Sequence, residues 1–179
     1  MILQKEFYFV RHGQTDHNLL EGPDKGDHTA DISLNEMGKN QAKTIAPLIA
    51  TLPIQIVVAS PMKRAQETKD IITLGLQVPH YAIDALGECS FGLWKEIRAL
   101  SLDSAFPQEG QLHSFISRVA RGLNEALSLR GPSLIVAHGG IHWIICFLMK
   151  IEEHDWLIQN CGVIHFFVKE NGKWGAKKI

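Results

Sequence analysis

Phe7-Tyr8-Phe9-Val10-Arg11-His12-Gly13-Gln14-Thr15 is the stretch that decides the fold. Four apolar residues in a row read as a strand buried on both faces, the pattern of a covered parallel sheet. The strand runs out into a basic residue, a histidine and a glycine-bearing turn. A histidine where an apolar run meets a glycine-bearing turn returns at Leu134-Ile135-Val136-Ala137-His138-Gly139-Gly140. In open α/β sheets, ligands collect at the carboxyl ends of the strands. If the two strands are neighbours, His12 and His138 face each other there. That makes the chain a candidate phosphate-handling enzyme.

The segments around these two strands alternate in type. Ser33-Leu34-Asn35-Glu36 is a capping-box pattern in which the Ser33 hydroxyl takes a backbone N–H and Glu36 reaches back. Ala42, Ile45, Ala46 and Ile49 then follow helical spacing, and Pro53 ends that region. Ile54 to Ala59 reads as a second buried strand rich in β-branched residues. Ser60-Pro61 predicts an N-cap followed by proline at the first helical position, which places Arg64 in the first turn of a helix. A third strand is expected around Tyr81 to Ala85, a helix over 112–127, and strands at Ser133–Ala137 and Val163–Val168. Leu19 to Ile32 reads as a loop. Alternating strands and helices predict a three-layer α/β/α architecture with a mainly parallel sheet. One domain is expected over residues 1–179, with a small cap region around 89–112.

The bulk numbers narrow the function. A chain of 179 residues that is 45% hydrophobic and 21% charged suits one globular domain with a sizeable core. A formal net charge of −1 gives no reason to expect a nucleic-acid or membrane surface, so an anion site must be a local basic cluster. Cys89, Cys146 and Cys161 form no CxxC pair and read as reduced thiols, which predicts a cytoplasmic protein. The first ten residues lack the layout of a signal peptide. Ile141 to Met149 is apolar but too short for a bilayer, which takes about 20 residues.

A phosphomonoester carries about two negative charges near neutral pH. Its oxygens need several fixed donors, and guanidinium forks suit them. Arg11 and Arg64 both lie just past buried strands and can point into one crevice. His138 can add a third donor and Asn18 a neutral one, while the Gly13 or Gly139 backbone can approach closely. Nearby arginines disfavour a protonated histidine, which keeps an imidazole lone pair available for attack on phosphorus. The leaving oxygen then needs a proton from a carboxylic acid.

These residues resemble the histidine phosphatase superfamily, also called phosphoglycerate mutase-like. The resemblance is carried by Arg11-His12-Gly13 with Thr15 and Asn18, by Ser60-Pro61 with Arg64, and by His138-Gly139. Ser33-Leu34 with Gly38 and Gln41-Ala42 is similar to that family's first helix. Leu86, Glu88, Phe91, Gly92 and Trp94 are similar to its acid-bearing segment, and Asn160-Cys161 precedes what looks like its last core strand. The resemblance implies that His12 forms a phosphohistidine. It implies that Arg11, Arg64 and His138 bind the phosphoryl oxygens, with Asn18, Gln14 and Gly139 among the substrate contacts. Glu88 is implied as general acid and later as the base that activates water. No metal and no cofactor is implied, and the expected partner is a small phosphorylated substrate or phosphate. A homodimer is left open.

His17, Lys95-Glu96 and the stretch 107–111 depart from the family pattern, all where the organic part of a substrate would bind. Glu88 and His138 stand only 50 positions apart. The cofactor-dependent mutases carry a longer insertion there, so a phosphatase is expected rather than a mutase. A mutase, a non-catalytic phosphate-recognition protein and a metal hydrolase built on His138 and His142 are the competing readings.

Overall fold

The computed structural model describes residues 1–20 and 30–179. Its six strands are β1 (Phe7–Arg11), β2 (Ile56–Ala59), β3 (His80–Ala82), β4 (Ser133–Ala137), β5 (Val163–Val168) and β6 (Trp174–Lys178). Its five α-helices are α1 (Glu36–Thr51), α2 (Lys63–Ile72), α3 (Phe91–Ala99), α4 (Gly110–Ser128) and α5 (Gly139–Met149). They form the expected mixed α/β fold, with strand order β3-β2-β4-β1-β5-β6. The first four strands of that order pair in parallel, and β5 and β6 are antiparallel to their neighbours.

Side-chain alternation along the central strands divides the core in two. Phe7 and Phe9 face one side with Val58, Ile135, and the inward residues of α4 and α5. Tyr8 and Val10 face the other side with Val57, Val136, Ala42 and Ile49 of α1, and Ile72 of α2. Phe7 stacks on Phe166 across the β1–β5 pair, with ring centroids 4.8 Å apart. Truncating a fully buried residue such as Ile135 to alanine would cost about 2–5 kcal/mol.

The layering fixes where a site can form. The chain leaves β1 for α1 on one face and leaves β4 for α5 on the other, although the two strands are neighbours. Connections diverging from adjacent parallel strands open a crevice at their carboxyl ends.

Local details depart from the sequence expectations. The cap of α1 is Asn35, whose side chain accepts from the Gly38 amide at 2.9 Å, so Glu36 is the first helical residue and Ser33 lies outside the cap. Ser60 does not cap α2, which starts at Lys63. Its hydroxyl accepts from the Met62 amide at 3.3 Å and lies 2.7 Å from His138 Nε2. The third strand is shorter and earlier than Tyr81–Ala85, because Asp84–Leu86 turns into a 3-10 helix. The loop expected over Leu19–Ile32 falls mainly on 21–29, outside the described residues. β6 has no strong strand signal, since glycine and two lysines occupy three of its five positions; as a terminal strand it pairs on one side only.

Candidate active site

β1 and β4 run in register, with Arg11 opposite Ala137, so the next residue on each is a histidine. The His12 amide extends the ladder by donating to the Ala137 carbonyl at 2.9 Å. The His12 and His138 rings therefore lie side by side, with centroids 5.1 Å apart. Both are buried.

The turn after His12 is held from three directions. The Gly13 amide donates to Thr68 Oγ1 on α2 at 2.9 Å. Asn160 Nδ2 donates to the His12 carbonyl at 2.9 Å, and the Cys161 amide donates to the Arg11 carbonyl at 3.0 Å. A Cβ on Gly13 would sit 2.6 Å from the Gly38 carbonyl oxygen, so the turn packs backbone to backbone against the first turn of α1. His12 Nδ1 lies 2.7 Å from the Gly13 carbonyl, which can only accept. Nδ1 therefore carries the proton, and Nε2 is the nitrogen with the lone pair.

Arg11, His12 and Arg64 line one pocket together with Asn18, Glu88 and Trp94. Thr15, His17 and Ile32 complete its described wall. Arg64 comes from the first turn of α2 and donates to the Ala30 carbonyl at 2.9 Å. Arg11 donates through Nη1 to the Ile158 carbonyl at 2.8 Å. Burial lowers both guanidiniums from their ordinary range, and the charge of Glu88 partly offsets this. His138 is lowered well below the usual histidine range, first by burial and then by the neighbouring His12, Arg64, Arg11 and Arg118. It is therefore neutral near pH 7. Ser60 Oγ accepts from the Met62 amide at 3.3 Å and can donate its proton to His138 Nε2 at 2.7 Å, in which case the proton of the neutral ring is on Nδ1.

Glu88 is fixed by the backbone. Its Oε1 accepts from the Cys89 amide and its Oε2 from the Gly140 amide, both at 3.0 Å. Gly140 lies in the first turn of α5, where orphan amides and the helix dipole favour an anion. A Cβ on Gly140 would overlap Glu88 Oε1. Arg118 of α4 props the same segment, donating to the Ala85 carbonyl at 2.9 Å and the Gly87 carbonyl at 2.8 Å.

Of the residues expected from the sequence, the fold gathers Arg11, His12, Arg64, Glu88 and Asn18 around one pocket, with His138 against His12. Gly139 opens α5 beside them: a Cβ there would lie 3.4 Å from the Trp94 ring and 3.7 Å from Arg11 Nε. Asn18 Oδ1 is occupied, by the Thr15 amide of its own turn at 3.0 Å and by Asn160 Nδ2 from the far end of the chain at 3.2 Å. Gln14 points elsewhere: its Oε1 accepts from Asn35 Nδ2 at 3.1 Å. Sequence reasoning missed Ser60 as the partner of His138 and Thr68 as the anchor of Gly13. Both contacts span sequence separations of more than 50 residues, and no local pattern signals them.

Two strand-end histidines and two arginines thus stand beside a carboxylate at the switch point of a mixed α/β sheet. The profile of the Histidine phosphatase superfamily (branch 1) matches residues 7–178, and the chain belongs to that superfamily. It is 32% identical over 170 residues to agropine synthesis reductase of Rhizobium rhizogenes, covering 90% of this chain but only 39% of the reductase. The chain thus spans about two fifths of that relative's length. It is also 32% identical to the uncharacterized phosphatase PhoE of Bacillus subtilis, covering 87% of this chain and 82% of that protein. Among solved structures, the α-ribazole phosphatase of Shigella flexneri superposes with a TM-score of 0.69 at 21% identity, covering 98% of this chain and 95% of that one. That likeness shows the fold alone.

Proposed function

We propose that the protein is a metal-independent phosphomonoesterase that works through a phosphohistidine on His12. The observation that carries this reading is the placement of a carboxylate, Glu88, in the wall of the same pocket as His12, Arg11 and Arg64. Nucleophile, oxyanion donors and proton donor then surround one small anion.

Arg11 Nε and His138 Nδ1 are buried and have no hydrogen-bond partner among the described residues. A phosphoryl group accepting from both would satisfy two costly polar groups, which favours an anion in this pocket. His12 Nε2 attacks phosphorus as the bond to the leaving oxygen breaks, and the guanidiniums stabilise the charge on the equatorial oxygens. Glu88 gives a proton to the leaving alcohol. Its carboxyl group shares the neighbourhood of three guanidiniums, those of Arg11, Arg64 and Arg118. In the second step Glu88 takes a proton from water, which attacks the phosphohistidine and releases phosphate.

Glu88 also borders a wide groove of about 560 Å³ that includes Cys89, Ser90, Leu93, Gln111 and Arg118. This groove takes the organic part of a small phosphorylated metabolite, and residues 89–112 form its cap. Its openness to solvent supports transfer to water rather than to a second alcohol, the mutase outcome. No helix among the described residues is long and apolar enough to cross a membrane. Three free, buried thiols accord with a cytoplasmic setting.

The test compares wild type with His12→Ala on p-nitrophenyl phosphate, with acid-quenched intact mass measured in parallel. Wild type is expected to turn over after brief EDTA treatment and to show a phosphoryl adduct that His12→Ala lacks. Turnover that survives in His12→Ala would remove His12 from the nucleophile role.

A further inference from the structure

On the far side of His138, one turn further along α5, the fold assembles a second cluster that phosphoryl chemistry does not use. We infer that His142, Cys146 and His154 form a binding site for a zinc ion that fixes the 150–162 segment to α5. This inference stands independently of the phosphatase reading.

The three ligating atoms all lie within 4.8 Å of one another. His142 Nε2 and His154 Nε2 are 3.2 Å apart, and Cys146 Sγ is 3.7 Å from His142 Nε2. Tetrahedral zinc with its usual bond lengths requires nitrogens about 3.3–3.4 Å apart and a sulfur about 3.6 Å from each nitrogen. Two of the three separations therefore already stand near those of a bound ion. His142 and Cys146 are four residues apart on one face of α5, so the helix fixes their spacing. Two imidazoles and a thiol favour zinc over hard oxygen-seeking cations.

The support around the cluster matches that of a metal site. His142 Nδ1 lies 3.0 Å from the Trp156 carbonyl, so its proton sits there and Nε2 presents its lone pair to the cluster. His142 and Cys146 are buried while His154 is only partly so, which leaves an approach from the His154 side. Binding would release the thiol proton to solvent. A fourth position is left for water.

The segment that His154 anchors also carries the Ile158 carbonyl, which holds Arg11 at 2.8 Å, and Asn160, which holds the His12 carbonyl at 2.9 Å. Zinc at this cluster would stiffen the outer wall of the phosphoryl pocket without touching the substrate.

The test is zinc content and thermal unfolding of the full chain, loaded with zinc and dialysed, for wild type, His154→Ala and Cys146→Ser. Partly exposed His154 can be truncated without opening the core. Wild type is expected to retain about one zinc per chain and to gain several degrees in Tm, and His154→Ala to lose both. Cobalt in place of zinc should give a thiolate charge-transfer band that Cys146→Ser lacks. Wild type that retains no more zinc than His154→Ala, or a cobalt spectrum unchanged by Cys146→Ser, would overturn the inference. Neither readout depends on turnover, so the phosphatase reading can fail or hold separately.

Discussion

The Gly140 amide donates to Glu88 Oε2 at 3.0 Å, tying the carboxylate to the first turn of the helix that follows His138. Glu88 and the second histidine are thus positioned by the same helix end. If Glu88 protonates the leaving oxygen, Glu88→Gln should lower kcat on an alkyl phosphate by about 10²–10⁴-fold. The loss on p-nitrophenyl phosphate should be much smaller, because nitrophenolate leaves without a proton. Gly140→Ala displaces the carboxylate and should shift rates in the same direction. Equal losses on both substrates would show that Glu88 binds rather than protonates.

Ser60→Ala removes the hydroxyl 2.7 Å from His138 Nε2 and strands a buried imidazole nitrogen. The expected cost is about 1–3 kcal/mol in urea unfolding. Turnover should fall as well, since the hydroxyl orients the His138 ring beside His12. An unchanged unfolding midpoint would mean that this contact contributes nothing to the fold.

Burial holds His138 neutral well below the usual histidine range. The unfolded chain then binds a proton that the folded chain refuses, so stability is full above about pH 6.5 and declines as pH falls below it. The slope from this one group is about 1.4 kcal/mol per pH unit. Urea midpoints between about pH 7.5 and about pH 5.5, roughly one unit either side of an ordinary histidine, should fall less steeply in His138→Gln than in wild type. Parallel slopes would contradict a neutral His138.

A Cβ on Gly38 would run into the Gln14 backbone, and one on Gly13 would meet the Gly38 carbonyl oxygen at 2.6 Å. Backbone cannot swing aside as a side chain does. Gly38→Ala should therefore destabilise by about 1–3 kcal/mol or more, and should displace His12 as well. Wild-type stability and kcat/KM in Gly38→Ala would show that α1 is free to shift.

The hydrophobic run at Phe7–Val10, the helical face from Leu112 to Leu127 and the strand-end histidines were legible in the sequence because each is a local pattern. Their physics is the burial of side chains close together in sequence, as an unbroken apolar run in the strand and at period 3.6 in the helix, which a short window of the chain displays. Helix starts were less legible. Ser33 and Asn35 both offer a capping oxygen, and only the approach of Gln14 and Gly38 places the helix start at Glu36.

By itself, then, the sequence determined an alternating α/β chain, its two buried histidine-bearing strands and the residue types able to hold a phosphoryl group. Tertiary structure alone decided that β1 lies beside β4, that Ser60 reaches His138, that Gln14 turns away toward Asn35, and that His154 closes on His142 and Cys146. The reason is physical. Composition and spacing record which groups must leave water, but a hydrogen bond or a ligand set between residues far apart in the chain forms only after packing has brought them together.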